Sequence, residues 1–311
     1  MDASTIFTTI LALVLIFLFA IQKFSHQMQH VAGKRLKSFL TRWSDNPIKG
    51  SFSGMLVTAL LQSSTATSII LVGLVNAEII PATNALSVVI GANVGGSITA
   101  QLVALKMTYI APLVVIAGFI LSHTHSRFKR YGKPIFYFGV IFFSLFIIGI
   151  LAEPLKNHAS FLAIIQSISN PFTALLAGAL ITFLFQSSSV LTGLVLILAG
   201  SGLIELPTAI GFMLGGNIGS PITALIASAS ASLEAKRVAI AHALFNYVGT
   251  LIYLPLITPF ILLLQFISPD PVQQIVNAHF IFNASCAIVC LVFFKRFDSL
   301  ARKVTSALYT K

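Results

Sequence analysis

Long apolar runs alternate along this chain with short polar segments rich in lysine and arginine. The runs at residues 6–21, 110–121 (extended back to about 107), 135–151, 238–264 and 275–294 approach the roughly 20 residues that a helix needs to cross a bilayer. Between them lie two further apolar stretches interrupted by small and polar residues, and the second copies the first. Aligned without a gap at an offset of 124 (178 − 54), residues 54–102 and 178–226 share Gly, Leu, Thr and Leu at the same spacing. Gln62-Ser63-Ser64-Thr65 then stands against Gln186-Ser187-Ser188-Ser189. Further on, Gly91-Ala92-Asn93-Val94-Gly95 stands against Gly215-Gly216-Asn217-Ile218-Gly219, each followed by Ile-Thr-Ala. The pattern predicts an all-α integral membrane protein. One membrane transport domain covers 1–311, with a first repeat at 51–105 and a second at 175–229 flanked by transmembrane helices.

Each repeat carries helix breakers near its middle: Gly73 and Pro81 in the first, and Gly200, Gly202 and Pro207 in the second, with Glu78 and Glu205 nearby. They mark a turn between two apolar arms. Residues 22–50 differ, because Phe24, Met28, Val31, Phe39 and Leu40 are interleaved with basic residues and Trp43 lies near the end. This segment reads as an amphipathic helix at the inner surface, or else a soluble linker, that Pro47 and Gly50 break before the first repeat. The run at 6–21 has neither a basic segment before it nor a small-residue cleavage site after it, so it reads as a retained helix.

Composition agrees with the membrane class. Apolar residues make up 57% of the chain and charged residues 9%, against roughly 25% charged in a soluble domain. The net charge of +11 would suit nucleic acid, but its placement does not. Lys34, Arg35, Lys37 and Arg42; Arg127, Lys129, Arg130 and Lys133; Lys236 and Arg237; and Lys295, Arg296, Arg302 and Lys303 all fall between apolar runs. That is the positive-inside pattern, and an anionic leaflet accounts for it. With every cluster in the cytoplasm, the N-terminus lies outside and the C-terminus inside a cell (inner) membrane. The first repeat then runs from inside to outside and the second from outside to inside, an inverted-topology pair. Lys106 is a basic residue that this path leaves on the outer side.

The chemistry of the repeats is neutral and polar. Unpaired hydroxyls and amides cost several kcal/mol each in hydrocarbon, so a duplicated polar run implies use. Such interrupted segments in two halves point to the substrate site of a secondary transporter. Free N–H groups at a half-helix start bind anions, and hydroxyls add donors. Amide, hydroxyl and backbone oxygens can instead ligate a hard cation such as Na+. No Asp, Glu, Lys or Arg lies in the centre of a predicted span, whereas proton-coupled carriers usually place a carboxylate there. Coupled movement of an anion with a cation fits better. Asn93, Thr99, Asn217 and Thr223 recur at identical spacing and read as facing the site, while the glycines between them also suit close helix packing. His242, Phe245 and Asn246 share one helix face, and His279, Phe282 and Asn283 repeat the arrangement. The histidines read first as hydrogen-bonded packing residues, and Asn246 as the better candidate to line the site. His26, His30, His123, His125 and His158 fall in loops. Cys286 and Cys290, one turn apart, read as small buried apolar residues before a redox or metal pair.

The paired Gln-Ser-Ser-(Ser/Thr) motifs, each followed by Gly-x-Asn-(Val/Ile)-Gly and Ile-Thr, resemble the type II sodium–phosphate cotransporter family from about residue 50 to 249. The resemblance implies inverted repeats with two re-entrant hairpins carrying the Gln-Ser-Ser motifs and phosphate bound between them. Carried over by position, Ser63, Ser64, Thr65, Ser187, Ser188 and Ser189 would contact phosphate. Gln62, Gln186, Asn93, Thr99, Asn217, Thr223 and Asn246 would form the sodium and gating shell. The chain departs from the family pattern after the first repeat, where 106–112 replaces a His-x-x-Phe-Asn-like helix, and it lacks an evident counterpart of the aspartate associated with electrogenic members. The expected function is sodium-coupled symport of inorganic phosphate by alternating access. It needs no cofactor beyond Na+ as coupling ion, involves the lipid bilayer but no nucleic acid, and is compatible with a homo-oligomer. A phosphate exporter, a carrier of another oxyanion, and a phosphate-sensing membrane protein without transport are the alternatives. An enzyme is disfavoured, because the spans hold no nucleophile–base pair or metal-ligand cluster.

Overall fold

The computed structural model describes residues 3–104, 109–124, 128–154 and 158–310. Among these, the regular elements are helices: α1 (Ala3–Trp43), α2 (Pro47–Leu61), α3 (Ser64–Asn76), α4 (Ala82–Ala104), α5 (Ala111–His123), α6 (Lys129–Ala152), α7 (Ala159–Ser167), α8 (Pro171–Phe185), α9 (Ser188–Gly200), α10 (Leu206–Gly219), α11 (Ile222–Ala227), α12 (Leu233–Tyr253), α13 (Ile257–Ile267), α14 (Pro271–Val292) and α15 (Phe294–Tyr309). Lys106, Met107, His125 and Arg127 lie outside the described residues. Among the described residues, five helices are long and apolar enough to cross a membrane, and two bent pairs bring the number to as many as seven if each is one span. The chain is a multi-pass membrane protein.

The duplication in sequence is a duplication in backbone. Asn46 and Asn170 cap α2 and α8 through their side chains, each just before a proline at the first helical position, a start that favours both residue types. Both helices end on a left-handed glutamine, Gln62 and Gln186, each at φ 53° and ψ 30°. A serine in extended conformation follows, and then α3 or α9 begins. At the first break the chain folds back on itself: Thr58 and Thr67, nine positions apart, share a hydroxyl hydrogen bond of 2.9 Å. A continuous helix would hold them roughly 13 Å apart. The Gln-Ser-Ser motif is therefore the tip of a helical hairpin. The turns expected near the repeat centres close α3 and α9, with Glu78 and Gly202 at positive φ. Amide N–H groups beyond each helix donate back to its last carbonyls in the same pattern.

Glycines let the third helix of each unit pack tightly on the first. A Cβ at Gly91 would lie 1.6 Å from the Ser51 carbonyl oxygen, and one at Gly215 would lie 2.1 Å from that of Leu175. Gly50, read as a breaker, lies inside α2 against Ser87. Gly91→Ala is therefore expected to lower stability by about 3 kcal/mol or more, measured as the thermal midpoint in detergent. Gly73→Ala, with open space beyond its Cα, should hold or raise that midpoint.

Other features also differ from the sequence expectations, among them His26 and His30, read as loop residues, which lie on α1. The amphipathic segment and the first span form one uninterrupted helix, α1, because no breaker separates them. Residues 238–264 do not form one span: α12 and α13 meet at 89° around Pro255, which supplies no N–H to continue the ladder. In the second unit the long helix is split at Ser220 and Pro221 into α10 and α11, where the first unit has Gly96 and Ser97 and runs unbroken.

Contacts fix the two ends of the bundle. At one end Asn76 accepts from the Ser232 N–H at 2.8 Å, Arg237 joins Thr83 and Asp298, and Lys236 stands over the Tyr309 ring. At the other end Gln273 donates to Gln101 at 3.3 Å, and Gly200 lies against Val272. α1 and α6 pack through Phe17, Phe24, Phe138, Phe142 and Leu145, outside the repeats.

Candidate functional site

Ser63 is the N-cap of α3, and its hydroxyl accepts from the Ala66 N–H at 3.1 Å. That bond satisfies the Ala66 N–H and leaves the N–H groups of Ser64 and Thr65 without a bond from this cap. Ser187 occupies the same place before α9 but makes no side-chain cap bond, so the first-turn N–H groups there have no capping partner from it. Ser64 and Ser188 are the first helical residues, and both line one buried cavity. Asn93 and Gly96 of α4 bound it on one side, and Asn217 with Ser220 on the other. Ala100 of α4, Ser189, Thr192 and, from α14, His279 and Asn283 complete its wall. The cavity is small, about 20 Å³, which is room for roughly one water. Its lining holds hydroxyls, amides and an imidazole, and no carboxylate, ammonium or guanidinium. Such a site can offer donors to an anion or oxygens to a cation without a fixed charge of its own.

Asn93 is a hydrogen-bonding hub. Its Nδ2 donates to the Val89 carbonyl at 2.9 Å, and its Oδ1 accepts from Asn246 Nδ2 at 3.0 Å and lies 3.2 Å from His242 Nε2. His242 Nδ1 in turn lies 3.0 Å from the Ser68 hydroxyl. A tautomer with the proton on Nε2 satisfies both contacts, Ser68 then donating to Nδ1. α12 is thereby bonded to α3 and α4 at once.

The sequence candidates thus divide. Ser64, Ser188, Ser189, Asn93 and Asn217 meet at the cavity. Ser63 caps α3 beside it, and Ser187 holds the same position before α9 without a cap bond. Thr65 is half-buried one position further on. Gln62 is buried and shares a neighbouring gap with Phe17 and Ser189, whereas Gln186 is exposed. Asn246 touches Asn93 instead of the cavity. Thr223 lies half-buried on α11, away from the cavity, and Thr99 lies on α4 with its side chain outside the described residues. Ser68, Thr192 and Ser220 were not singled out from sequence. The first two do occupy equivalent positions (192 − 68 = 124) inside the repeats, which was the available signal. His279 and Asn283 carried a signal too, as a second copy of Ala-His-x-x-Phe-Asn.

A helical membrane bundle whose two like units bring helix starts together at one neutral polar cavity has the build of a transporter. The chain belongs to the Na+/Pi-cotransporter family, whose sequence model matches residues 16–149 and 155–294. It is 30% identical over 282 residues to the uncharacterized protein YqeW of Bacillus subtilis, covering 90% of this chain and 92% of that one. It is 28% identical over 278 residues to the putative inorganic phosphate export protein YjbB of Escherichia coli, covering 88% of this chain but 51% of that protein. A shorter stretch of 86 residues is 45% identical to human sodium-dependent phosphate transport protein 2C, covering 26% of this chain and 14% of that one. The chain therefore spans about half the length of the export protein. No solved structure matches it.

Proposed function

We propose that this protein carries inorganic phosphate across the membrane together with Na+, by alternating access, with the anion bound between the two Gln-Ser-Ser tips. The observation that carries this reading is the meeting of Ser64 and Ser188, the first residues of two helices from two like units, at one uncharged cavity. Each helix start presents N–H donors and a partial positive charge, and each serine adds a hydroxyl. Because the cavity has room for about one water, the two tips must part to admit a tetrahedral oxyanion, and their closing over it is the occlusion step. Na+ ligated by nearby amide and hydroxyl oxygens would offset the anion's charge. Gln62 and Asn217 are the candidates nearest the tips, since His242 and Asn246 already occupy the Asn93 Oδ1.

Alternating access is supported by the direction of the units. α4 runs from the end where Arg237 meets Thr83 to the end where Gln101 meets Gln273, and α2 lies alongside it with its start at the same end. α10 and α11 run the other way, toward Ser232 and Asn76. Lys236, Arg237 and the basic residues of α15 gather at the first of these ends, which suits a cytoplasmic face and a C-terminus inside.

The test is uptake of radiolabelled phosphate into proteoliposomes, with and without an inward Na+ gradient. Uptake that requires the gradient is the expected result, and folded protein without flux would sink the transporter reading in favour of a sensor. The likeness to a putative phosphate export protein favours a second reading, in which the working direction is outward. Loading the vesicles with phosphate and following its release under each gradient separates the two.

A further inference from the structure

The two units are alike in backbone and unlike in hydrogen bonding, and the difference falls at the site. In the first unit the polar groups around the site have partners: Thr58 bonds Thr67, His242 bonds Ser68, and Asn93 makes three contacts. In the second unit the corresponding atoms do not. Thr182 Oγ1, Asn217 Nδ2 and His279 Nδ1 are three of the five buried side-chain polar atoms left without a partner among the described residues. The causes lie in the sequence. Leu191 stands where the first unit has Thr67, so Thr182 loses its hydroxyl partner. Thr192 stands where the first unit has Ser68, but it turns its hydroxyl to the Ser188 carbonyl at 2.9 Å. Asn283 donates to the His279 carbonyl, as Asn246 does to that of His242, yet makes no bond to Asn217. Asn217 is 5% exposed and faces the cavity beside Ser188.

A buried donor without a partner costs about 1–3 kcal/mol, and keeping one at a cavity wall implies a ligand that satisfies it. Resting on the phosphate reading above, we propose that the two asparagines play different parts: Asn217 Nδ2, beside the hydroxyls of Ser188 and Ser189, is a direct ligand of the oxyanion held between the tips. Asn93 instead positions α12 and does not touch it. Asn93 has spent its amide on Val89, His242 and Asn246, whereas Asn217 has a free N–H aimed where an oxygen would sit. Sequence symmetry alone would have given the two asparagines one role.

Thermal melting of the purified full-length protein in Na+ buffer, with and without inorganic phosphate, tests this on Asn217→Leu and Asn93→Leu. Without phosphate, Asn217→Leu should melt at or above the wild-type midpoint, since it removes an unsatisfied group, and Asn93→Leu should melt clearly below it. The rise in midpoint that phosphate gives the wild type should vanish in Asn217→Leu, with phosphate affinity down at least tenfold. Asn217→Asp, isosteric but an acceptor, should lose it as well, and it serves as the reporter if the leucine variant does not fold. Destabilisation of Asn217→Leu equal to that of Asn93→Leu, or a phosphate response retained in either Asn217 variant, overturns the proposal. A wild type that answers to no phosphate but to another oxyanion overturns the phosphate reading, while the same comparison run with that anion still decides the role of Asn217.

Discussion

Ser64→Ala combined with Ser188→Ala is expected to reduce phosphate uptake by about two to four orders of magnitude while leaving the fold intact. A hydrogen bond to a charged group contributes about 1.5–3 kcal/mol. Losing one from each tip therefore removes about 3–6 kcal/mol of anion binding, at about 1.4 kcal/mol per factor of ten. The fold should survive because neither serine is a cap. Both are first helical residues, where alanine is acceptable, and the cap bond to Ala66 comes from Ser63. Ser63→Ala is the contrasting variant: it should cost about 1 kcal/mol of stability and a much smaller fraction of uptake. Initial rates across a range of phosphate concentrations separate the two effects. A double variant that keeps more than a tenth of wild-type uptake would remove the Gln-Ser-Ser tips from the site.

The gapless repeat at 124 residues returns in the backbone at the asparagine caps, at the left-handed glutamines that end α2 and α8, and at the turns after α3 and α9, but not at the break between α10 and α11. Local steric and capping rules act within a few positions, so identical short segments reach identical conformations wherever they lie in the chain. The same locality explains what could not be read. Asn93, His242 and Asn246 meet across separations of 149 and 153 residues, and nothing near Asn93 in the sequence announces them. Asn217 repeats Asn93 in letter and place but not in partners, because its surroundings come from α9 and α14. The bend between α12 and α13 escaped a hydropathy reading because Leu254, Pro255 and Leu256 are all apolar. Only the missing N–H of Pro255 distinguishes the corner from a span. Gly50 had two uses open to it, breaking a helix or admitting a neighbour, and packing against Ser87 decided it.

Arg237 read from sequence as one more member of a basic cytoplasmic cluster, yet it is 2% exposed. Its guanidinium reaches Glu234 at 2.8 Å on its own helix, Thr83 of α4 at 3.3 Å, and Asp298 of α15. One planar fork thus joins three helices, a geometry that a lysine cannot copy. Arg237→Leu should therefore destabilise the protein by about 3–5 kcal/mol, because Asp298 is left largely buried without its partner. Arg237→Leu with Asp298→Leu should recover most of that loss, since an apolar pair of similar volume replaces the ion pair without stranding a charge. Thermal midpoints of the two single variants and the double in detergent form the required cycle. A double variant as unstable as the sum of the singles would mean that each side chain acts through other contacts. The consequence reaches the site, because His242 follows Arg237 by five residues on α12, roughly 7.5 Å along the axis. The clamp at Thr83 sets the register in which His242 and Asn246 meet Asn93, so the single Arg237 variant should also lose transport. The stability-restored double variant should regain transport only as far as that register is regained.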